Sequence, residues 1–264
     1  MSEQLRARLF EALDQIVLVD PHTHINAHAP ASTTLADIMG YHYYTELAHS
    51  AGMPIARIEQ EGLDPKEKVG RLVEFLGTIE NTIQSSWLIE MVQTFFDFPD
   101  EAITPDNWEA LYDRSRQSMA QPDWAETVLK RSKLSAVFLT NEFDDALEGF
   151  DTSVYVPCLR TDDLVFHLAK PEVRTRLEKA GGIALGDLAS LRSAIGKLFE
   201  HFVERGAKAC AISLPPDFAP AKIDKGAAES ALTEVLRRGP DASGEQLGTL
   251  SQAVFWVLAE ECRE

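Results

Sequence analysis

Two short apolar runs separated by helical patterns restrict the fold of this chain more than any other feature. Apolar residues recur at helical spacing in residues 172–179 and 187–204, and Gly206 follows as a helix stop. The runs on either side, residues 153–159 and 207–214, have the length and composition of strands. Strand, helix, strand in this order predicts a parallel sheet with helical crossovers.

Two further runs, residues 16–20 and 135–140, also resemble strands, and we expect all four to be buried on both faces as parallel strands are. The interval between them holds helical patterns at 65–76, 82–96 and 105–116, the last with Thr104 as its N-cap and Pro105 at its first position. We therefore predict an α/β fold in one domain, residues 1–264, with a helical insertion at residues 27–130.

The first apolar run ends in His22-Thr23-His24, directly after Asp20-Pro21. Side chains two apart on an extended segment point to the same side, so the two imidazoles should converge at the carboxyl end of the strand. Imidazole is the commonest metal-binding side chain, and the pair suits zinc or a similar divalent ion. Two nitrogens alone do not complete a tetrahedral site, and a close histidine pair can also arise by chance among seven histidines.

The net charge of the chain limits the classes of molecule that it is expected to bind. Forty-two acidic and 25 basic residues give a net charge of −17, which would repel phosphate backbones and anionic lipid surfaces. We expect neither nucleic acid nor membrane as a partner, and an anionic substrate would need a local cationic anchor. Cys158, Cys210 and Cys262 are odd in number and set in apolar surroundings, so we expect reduced core thiols. The N-terminus lacks the apolar core of a signal peptide, which predicts a cytoplasmic protein.

The amphipathic pattern that begins at Glu245 reaches Cys262-Arg263-Glu264 without a helix stop signal. Four strands with an open edge cannot close a barrel. The expectation from these two features is a truncated copy of a longer chain, with a natural half-barrel that pairs with another chain as the alternative.

Five motifs together resemble the uronate (glucuronate) isomerases of the amidohydrolase superfamily, and they occur in the order found in that family. They are Val19-Asp20-Pro21-His22-Thr23-His24-Ile25, Tyr41-His42-Tyr43, Leu139-Thr140-Asn141-Glu142-Phe143-Asp144-Asp145, Leu159-Arg160-Thr161-Asp162 and Ser213-Leu214-Pro215-Pro216-Asp217-Phe218. One departure is that the family's second-strand motif usually has Asp-Pro after Thr-Asn. Here the proline is missing and Glu142 replaces the aspartate.

The resemblance implies an amidohydrolase-type (β/α)8 barrel, incomplete here with about four strands. It also implies metal-dependent aldose–ketose isomerisation of D-glucuronate to D-fructuronate and of D-galacturonate to D-tagaturonate. His22 and His24 would bind the divalent metal, with zinc expected. Arg160 would bind the carboxylate of the sugar acid, and Tyr43 would contact the substrate and act in catalysis.

Other interpretations stay open. Arg160 could form a strand-end ion pair with Asp162 or Asp163, and Tyr43 could pack on an apolar face. A hydrolase or decarboxylase of the same superfamily, or an inactive truncated product, are the rival functions. We expect the chain alone to lack isomerase activity, because two histidines and water provide no carboxylate ligand for the metal. The sequence leaves homo-oligomer formation open.

Overall fold

A computed structural model describes residues 2–263 of the chain. By its internal contacts the chain divides into two units. The first consists of the N-terminal residues up to Leu18 together with Ala29–Leu134, and the second consists of Val19–His28 together with the chain from Ser135 onwards. Among residues 2–263, no helix has both the length and the apolar character needed to cross a bilayer.

The first unit is helical. Its α-helices, α1 to α7, are Glu3–Asp14, Leu35–Met39, His42–Ser50, Pro65–Leu76, Ile83–Phe96, Trp108–Met119 and Trp124–Arg131. One apolar core joins α2 to α7, with Leu35, Val69 and Val92 fully buried. Helix α1 buries none of its residues.

The predicted helices of this unit are confirmed, with one shift. Helix α4 has the predicted bounds, and α5 begins one residue after Thr82, whose hydroxyl caps it by accepting the Ser85 N–H. Helix α6 begins at Trp108 rather than Pro105, so Thr104 is not its N-cap. The Asn107 side chain accepts the Thr104 N–H and donates to Asp100, and these bonds hold residues 104–107 in a turn.

The second unit contains the strands and the remaining helices. Strands β1 to β5 are Leu18–Asp20, Leu134–Phe138, Tyr155–Val156, Cys158–Arg160 and Ala209–Ala211, with the first residues of β1 and β2 belonging to the first unit. Helices α8 to α12 are Asp162–Phe166, Pro171–Gly181, Leu188–Glu204, Lys225–Arg238 and Gly244–Glu261. Short 3-10 turns lie at Ile55–Arg57 and Gly239–Asp241.

The strands form two sheets, ordered β1-β2-β3 and β4-β5. Strand β2 pairs in parallel with β3, and β4 pairs in parallel with β5. The helices between β4 and β5 confirm the predicted crossover. Helix α10 buries five residues of the predicted stripe, Leu188, Leu191, Ile195, Leu198 and Phe202, and the sixth, Phe199, is partly buried. Gly206 follows the helix with φ +91°.

Two predictions about the strands are wrong. The single strand expected at residues 153–159 is two strands, because Pro157 has no N–H to donate and separates β3 from β4, which pair with different partners. Burial on both faces is wrong for β1, where Leu18 and Val19 are 49% and 52% exposed at the edge of the sheet. In the described part of the chain no sheet closes, so the structure confirms an α/β fold and not the incomplete barrel of about four strands.

Candidate functional site

The predicted histidine pair lies in the irregular segment that follows β1. The His22 N–H donates to Asp20 Oδ1 at 3.2 Å, which bends the chain just after the strand. The Nε2 atoms of His22 and His24 are 3.2 Å apart, and the rings meet edge to face with centroids 4.8 Å apart. Both side chains are exposed. The two imidazoles therefore converge, as their spacing predicts.

This geometry fits two ligands of one ion. With zinc–nitrogen bonds of about 2.0–2.1 Å, two ligands of a tetrahedral ion lie about 3.3 Å apart. A hydrogen bond between one protonated and one unprotonated imidazole nitrogen would have a similar length. Within residues 2–263, no group of three or more His, Cys, Asp or Glu side chains is arranged to hold a metal. The described residues thus offer two imidazoles that could bind a metal and not a complete set of ligands.

Hydrogen bonds fix the histidine segment against the end of β2. The Thr23 N–H donates to the Phe138 carbonyl at 3.0 Å, and the Thr140 hydroxyl donates to the Thr23 carbonyl at 2.8 Å. Thr23 lies between the two histidines, so both of its backbone polar groups are used to hold the pair in place. The ends of β1 and β2 therefore meet at one edge.

Asn141 connects that edge to β4. Its backbone N–H donates to the Cys158 carbonyl at 3.0 Å, and its own carbonyl accepts the Arg160 N–H at 2.9 Å. The buried side-chain amide accepts the Cys158 N–H and donates to Asp145 Oδ2. Beyond β4, the Thr161 N–H donates to the Ala211 carbonyl at 2.9 Å, which brings the end of β5 to the same edge.

Arg160 ends β4 and is 42% exposed. Its Nε lies 3.4 Å from Asp162 Oδ2, and its Nη1 lies 3.6 Å from Glu142 Oε1. The ion pair with Asp162, one of the two interpretations of this residue, is thus present, whereas Asp163 pairs with Arg176 instead. Contacts of this length on a half-exposed side chain contribute about 0–1 kcal/mol each. They leave guanidinium N–H groups that a ligand carboxylate can use.

Arg176, on α9, was not recognised from the sequence. Its guanidinium lies 4.5 Å from the centroid of the Phe143 ring and binds three carboxylates, Glu142 at 2.9 Å, Asp144 and Asp163 at 3.0 Å. The hydrogen bond from Arg176 lowers the pKa of Asp144, and the hydrogen bonds that Arg176 donates to Asp144 and Glu142 raise the pKa of Arg176. Glu142 therefore bridges Arg160 and Arg176.

Tyr43 is the second residue of α3 and belongs to the first unit, whereas His22, His24 and Arg160 belong to the second. Its side chain is 51% exposed, with ring centroids of His42 and Tyr41 at 4.4 and 5.1 Å. It lines an open cavity of about 780 Å³, while the neighbouring Tyr44 packs in the core. Packing on a buried apolar face is therefore the role of Tyr44. The predicted role of Tyr43 in substrate contact and catalysis stays a prediction.

The paired strands are parallel, helices connect them, and polar side chains lie at their carboxyl ends. These features define an α/β protein of the class that carries its functional residues at this edge of the sheet. No protein-family model matches the chain. The chain is 21% identical over 227 residues to a uronate isomerase of Corynebacterium efficiens, covering 78% of this chain and 48% of that one. It is 23% identical over 194 residues to the Corynebacterium glutamicum enzyme of the same name, covering 68% and 37%.

Two solved structures have a fold similar to that of this chain. A uronate isomerase of Thermotoga maritima matches with a TM-score of 0.83 and 17% identity, covering all of this chain and 60% of that one. A glucuronate isomerase of Caulobacter crescentus matches with a TM-score of 0.84 and 17% identity, covering 98% and 58%. The sequence matches confirm the resemblance of this chain to uronate isomerases, and the solved structures show that the fold is shared. The chain spans less than half the length of these two curated relatives.

Proposed function

We propose that this chain carries the metal-binding and carboxylate-binding edge of a uronate isomerase site within an amidohydrolase-type scaffold. The observation that carries the proposal is the convergence of His22 and His24, at 3.2 Å, on a strand edge that also bears Arg160, in a chain related to uronate isomerases. The reaction would interconvert D-glucuronate and D-fructuronate, or D-galacturonate and D-tagaturonate. The substrate would be a small sugar acid in the cytoplasm.

The histidines would hold a divalent metal, with zinc as the expected ion. When bound, such an ion polarises sugar oxygens and fixes their positions. The bonds between Thr23 and the end of β2 support this role because they orient the segment that carries both imidazoles. Rigid support of this kind is what a metal site needs.

Arg160 would bind the C6 carboxylate of the sugar. A planar guanidinium can donate two parallel N–H groups to one carboxylate, which a lysine cannot do. The weak pairs with Glu142 and Asp162 keep the guanidinium at the strand end until the substrate replaces them. The guanidinium would be the local cationic anchor that an anionic substrate needs in a chain with a net charge of −17.

Tyr43 would act on the proton transfer. Moving a carbonyl between C1 and C2 shifts a proton between adjacent carbons through an enediol, so the site must donate protons to a developing oxyanion. A phenol can do this. The exposure of Tyr43 and its place on the wall of an open cavity leave its ring accessible to a ligand.

The test is binding, since we expect no turnover of D-glucuronate by the chain alone. Zinc-loaded protein should bind D-glucuronate more tightly than D-glucose, which has the same ring without the carboxylate, as measured by titration calorimetry. Arg160→Lys should weaken glucuronate binding by roughly 10-fold or more, because a charge-assisted hydrogen bond contributes about 1.5–3 kcal/mol.

Arg205→Lys provides the matched control, because Arg205 pairs with Glu148 on the surface of the same unit. It should leave glucuronate affinity unchanged. Equal affinity for the two sugars, or an Arg160→Lys protein that binds like the unchanged chain, would contradict the proposal. A hydrolase or decarboxylase on the same scaffold would instead require release of a cleaved product or carbon dioxide from a carboxylate substrate.

A further inference from the structure

Two of the three cysteines lie in van der Waals contact. Cys210 is the middle residue of β5, and Cys262 follows α12 as its C-cap. Their Sγ atoms are 3.3 Å apart although the residues are 52 positions apart in the sequence. A disulfide bond is about 2.05 Å long, so the sulfurs need to approach by only about 1.2 Å to form one. The expectation that all three cysteines are core thiols is wrong for Cys262, which is exposed.

We propose that Cys210 and Cys262 are a redox pair that forms a reversible disulfide on reaction with a low-molecular-weight disulfide such as oxidised glutathione. This inference does not depend on the proposed isomerase function. Both residues belong to the second unit, and both are free thiols in the structure. Contact between two thiols from distant parts of the chain is what an intramolecular disulfide requires.

The different surroundings of the two thiols determine which of them reacts first. Burial raises the pKa of the Cys210 thiol to about 12, with a further contribution from the neighbouring Cys262. Cys210 is therefore protonated near neutral pH and only half-buried, whereas Cys262 is open to solvent. The thiolate is the nucleophile in exchange, and access limits the rate. Cys262 is thus the thiol that meets the reagent first.

The reaction consists of two thiol–disulfide exchange steps. The Cys262 thiolate attacks one sulfur of oxidised glutathione, the S–S bond of the reagent breaks, and one glutathione thiolate leaves and takes a proton. The Cys210 thiolate then attacks the Cys262 sulfur and expels the second glutathione. Two protein thiols are oxidised to one disulfide and one glutathione disulfide is reduced to two thiols. In the second step the bond between Cys262 and glutathione breaks, and the proton lost by the Cys210 thiol passes to the leaving glutathione thiolate.

Cys158 provides the internal control. It lies on β4, beside β5, and is buried, and burial raises the pKa of its thiol. A thiol without access to solvent should not react with the reagent. Cys158 should remain reduced while the other two are consumed.

The experiment treats the reduced chain with oxidised glutathione and follows free thiols and intact mass. The unchanged chain should lose two of its three thiols and the mass of two hydrogen atoms, with peptide mapping linking 210 to 262, and dithiothreitol should reverse the change. The oxidised form should melt several degrees higher, because the bond closes a long loop in the unfolded chain.

Single substitutions of the three cysteines test the two exchange steps separately. Cys158→Ala should form the disulfide like the unchanged chain. Cys210→Ser should stop at a glutathione adduct on Cys262, and Cys262→Ser, at an exposed helix end, should keep all remaining thiols free. A glutathione adduct as the final product of the unchanged chain, a disulfide between two chains, a link through Cys158, or no loss of thiols would each overturn the proposal. Circular dichroism of each variant confirms that it is folded.

Discussion

At the scale of single residues, a substitution of Tyr43 distinguishes a catalytic role from a packing role. Its ring is 51% exposed, so deletion of the hydroxyl should not change thermal stability. In a form of the protein that turns over D-glucuronate, we expect Tyr43→Phe to lower kcat by about 10²–10⁴-fold, the usual contribution of a positioned acid or base. Tyr41→Phe, in the adjacent and similarly exposed tyrosine, is the control. Unchanged kcat in Tyr43→Phe would remove this residue from the catalytic group.

Asp144 should make stability depend on pH. The hydrogen bond from Arg176 lowers its pKa in the folded chain below the ordinary value of 3.8. Its stabilising effect is therefore fully present above the unfolded pKa and is lost as the pH falls through the folded pKa. Asp144→Asn should reduce the free energy of unfolding by about 1 kcal/mol at neutral pH, and the difference should shrink as the pH falls below the ordinary carboxyl value of 3.8 towards the folded pKa.

Urea unfolding between pH 7 and pH 3 measures this difference. Asp217→Asn, in an exposed aspartate outside the Arg176 cluster, serves as the control and should follow the unchanged chain at every pH. A constant difference between the unchanged chain and Asp144→Asn across the range would show that the carboxylate charge does not matter there.

Some of these residue contacts follow from the sequence and others do not. The convergence of His22 and His24 could be predicted on the condition that the extended geometry continues past Pro21. Strand β1 ends at Asp20, and the bonds between Thr23 and the end of β2 hold the pair in place. The link between Arg176 and Glu142 could not, because 34 residues separate them and the packing of α9 on the loop after β2 brings them together. The acidic residues after Asn141 were the available signal, since so many carboxylates in one loop need a cation.

At the scale of elements, helix α10 shows how an apolar stripe determines packing. Leu198 is 1% exposed in the core of the second unit, and Val203 on the same helix is 65% exposed. Leu198→Ala should lower the free energy of unfolding by about 2–5 kcal/mol, because it leaves a cavity. Val203→Ala, the control, should change it by less than about 0.5 kcal/mol. Similar losses in urea unfolding for both variants would contradict the packing described for α10.

Helices were easier to predict than strands in this chain. The bounds of α4 follow from apolar periodicity, and α10 begins one residue after its predicted start because Asp187 caps it. Strands of two to five residues give a weaker signal, and the pairing partner decides where each one ends. Pro157 is the example, because its missing N–H divides one apolar run between two sheets.

At the scale of the whole molecule, the chain has two units with separate apolar cores. The sequence predicts instead a single domain with an insertion at residues 27–130, and that description of the domains stays a prediction. Strand β1 lies at the edge of its sheet, with Leu18 and Val19 exposed. The apolar pattern of the sequence could not predict this exposure. A run of strand-forming residues looks the same whether another strand or helix covers it or not.

In the proposed site His22 and His24 are two ligands of one metal ion. The test is zinc bound per chain at equilibrium dialysis against excess zinc, measured by elemental analysis of the unchanged chain, His22→Ala/His24→Ala and His28→Ala. His28 is an exposed histidine of the same unit that contacts Phe150 and serves as the matched control. We predict close to one zinc for the unchanged chain and for His28→Ala, and close to none for the double variant. Equal zinc in all three proteins, or none in the unchanged chain, would contradict the account.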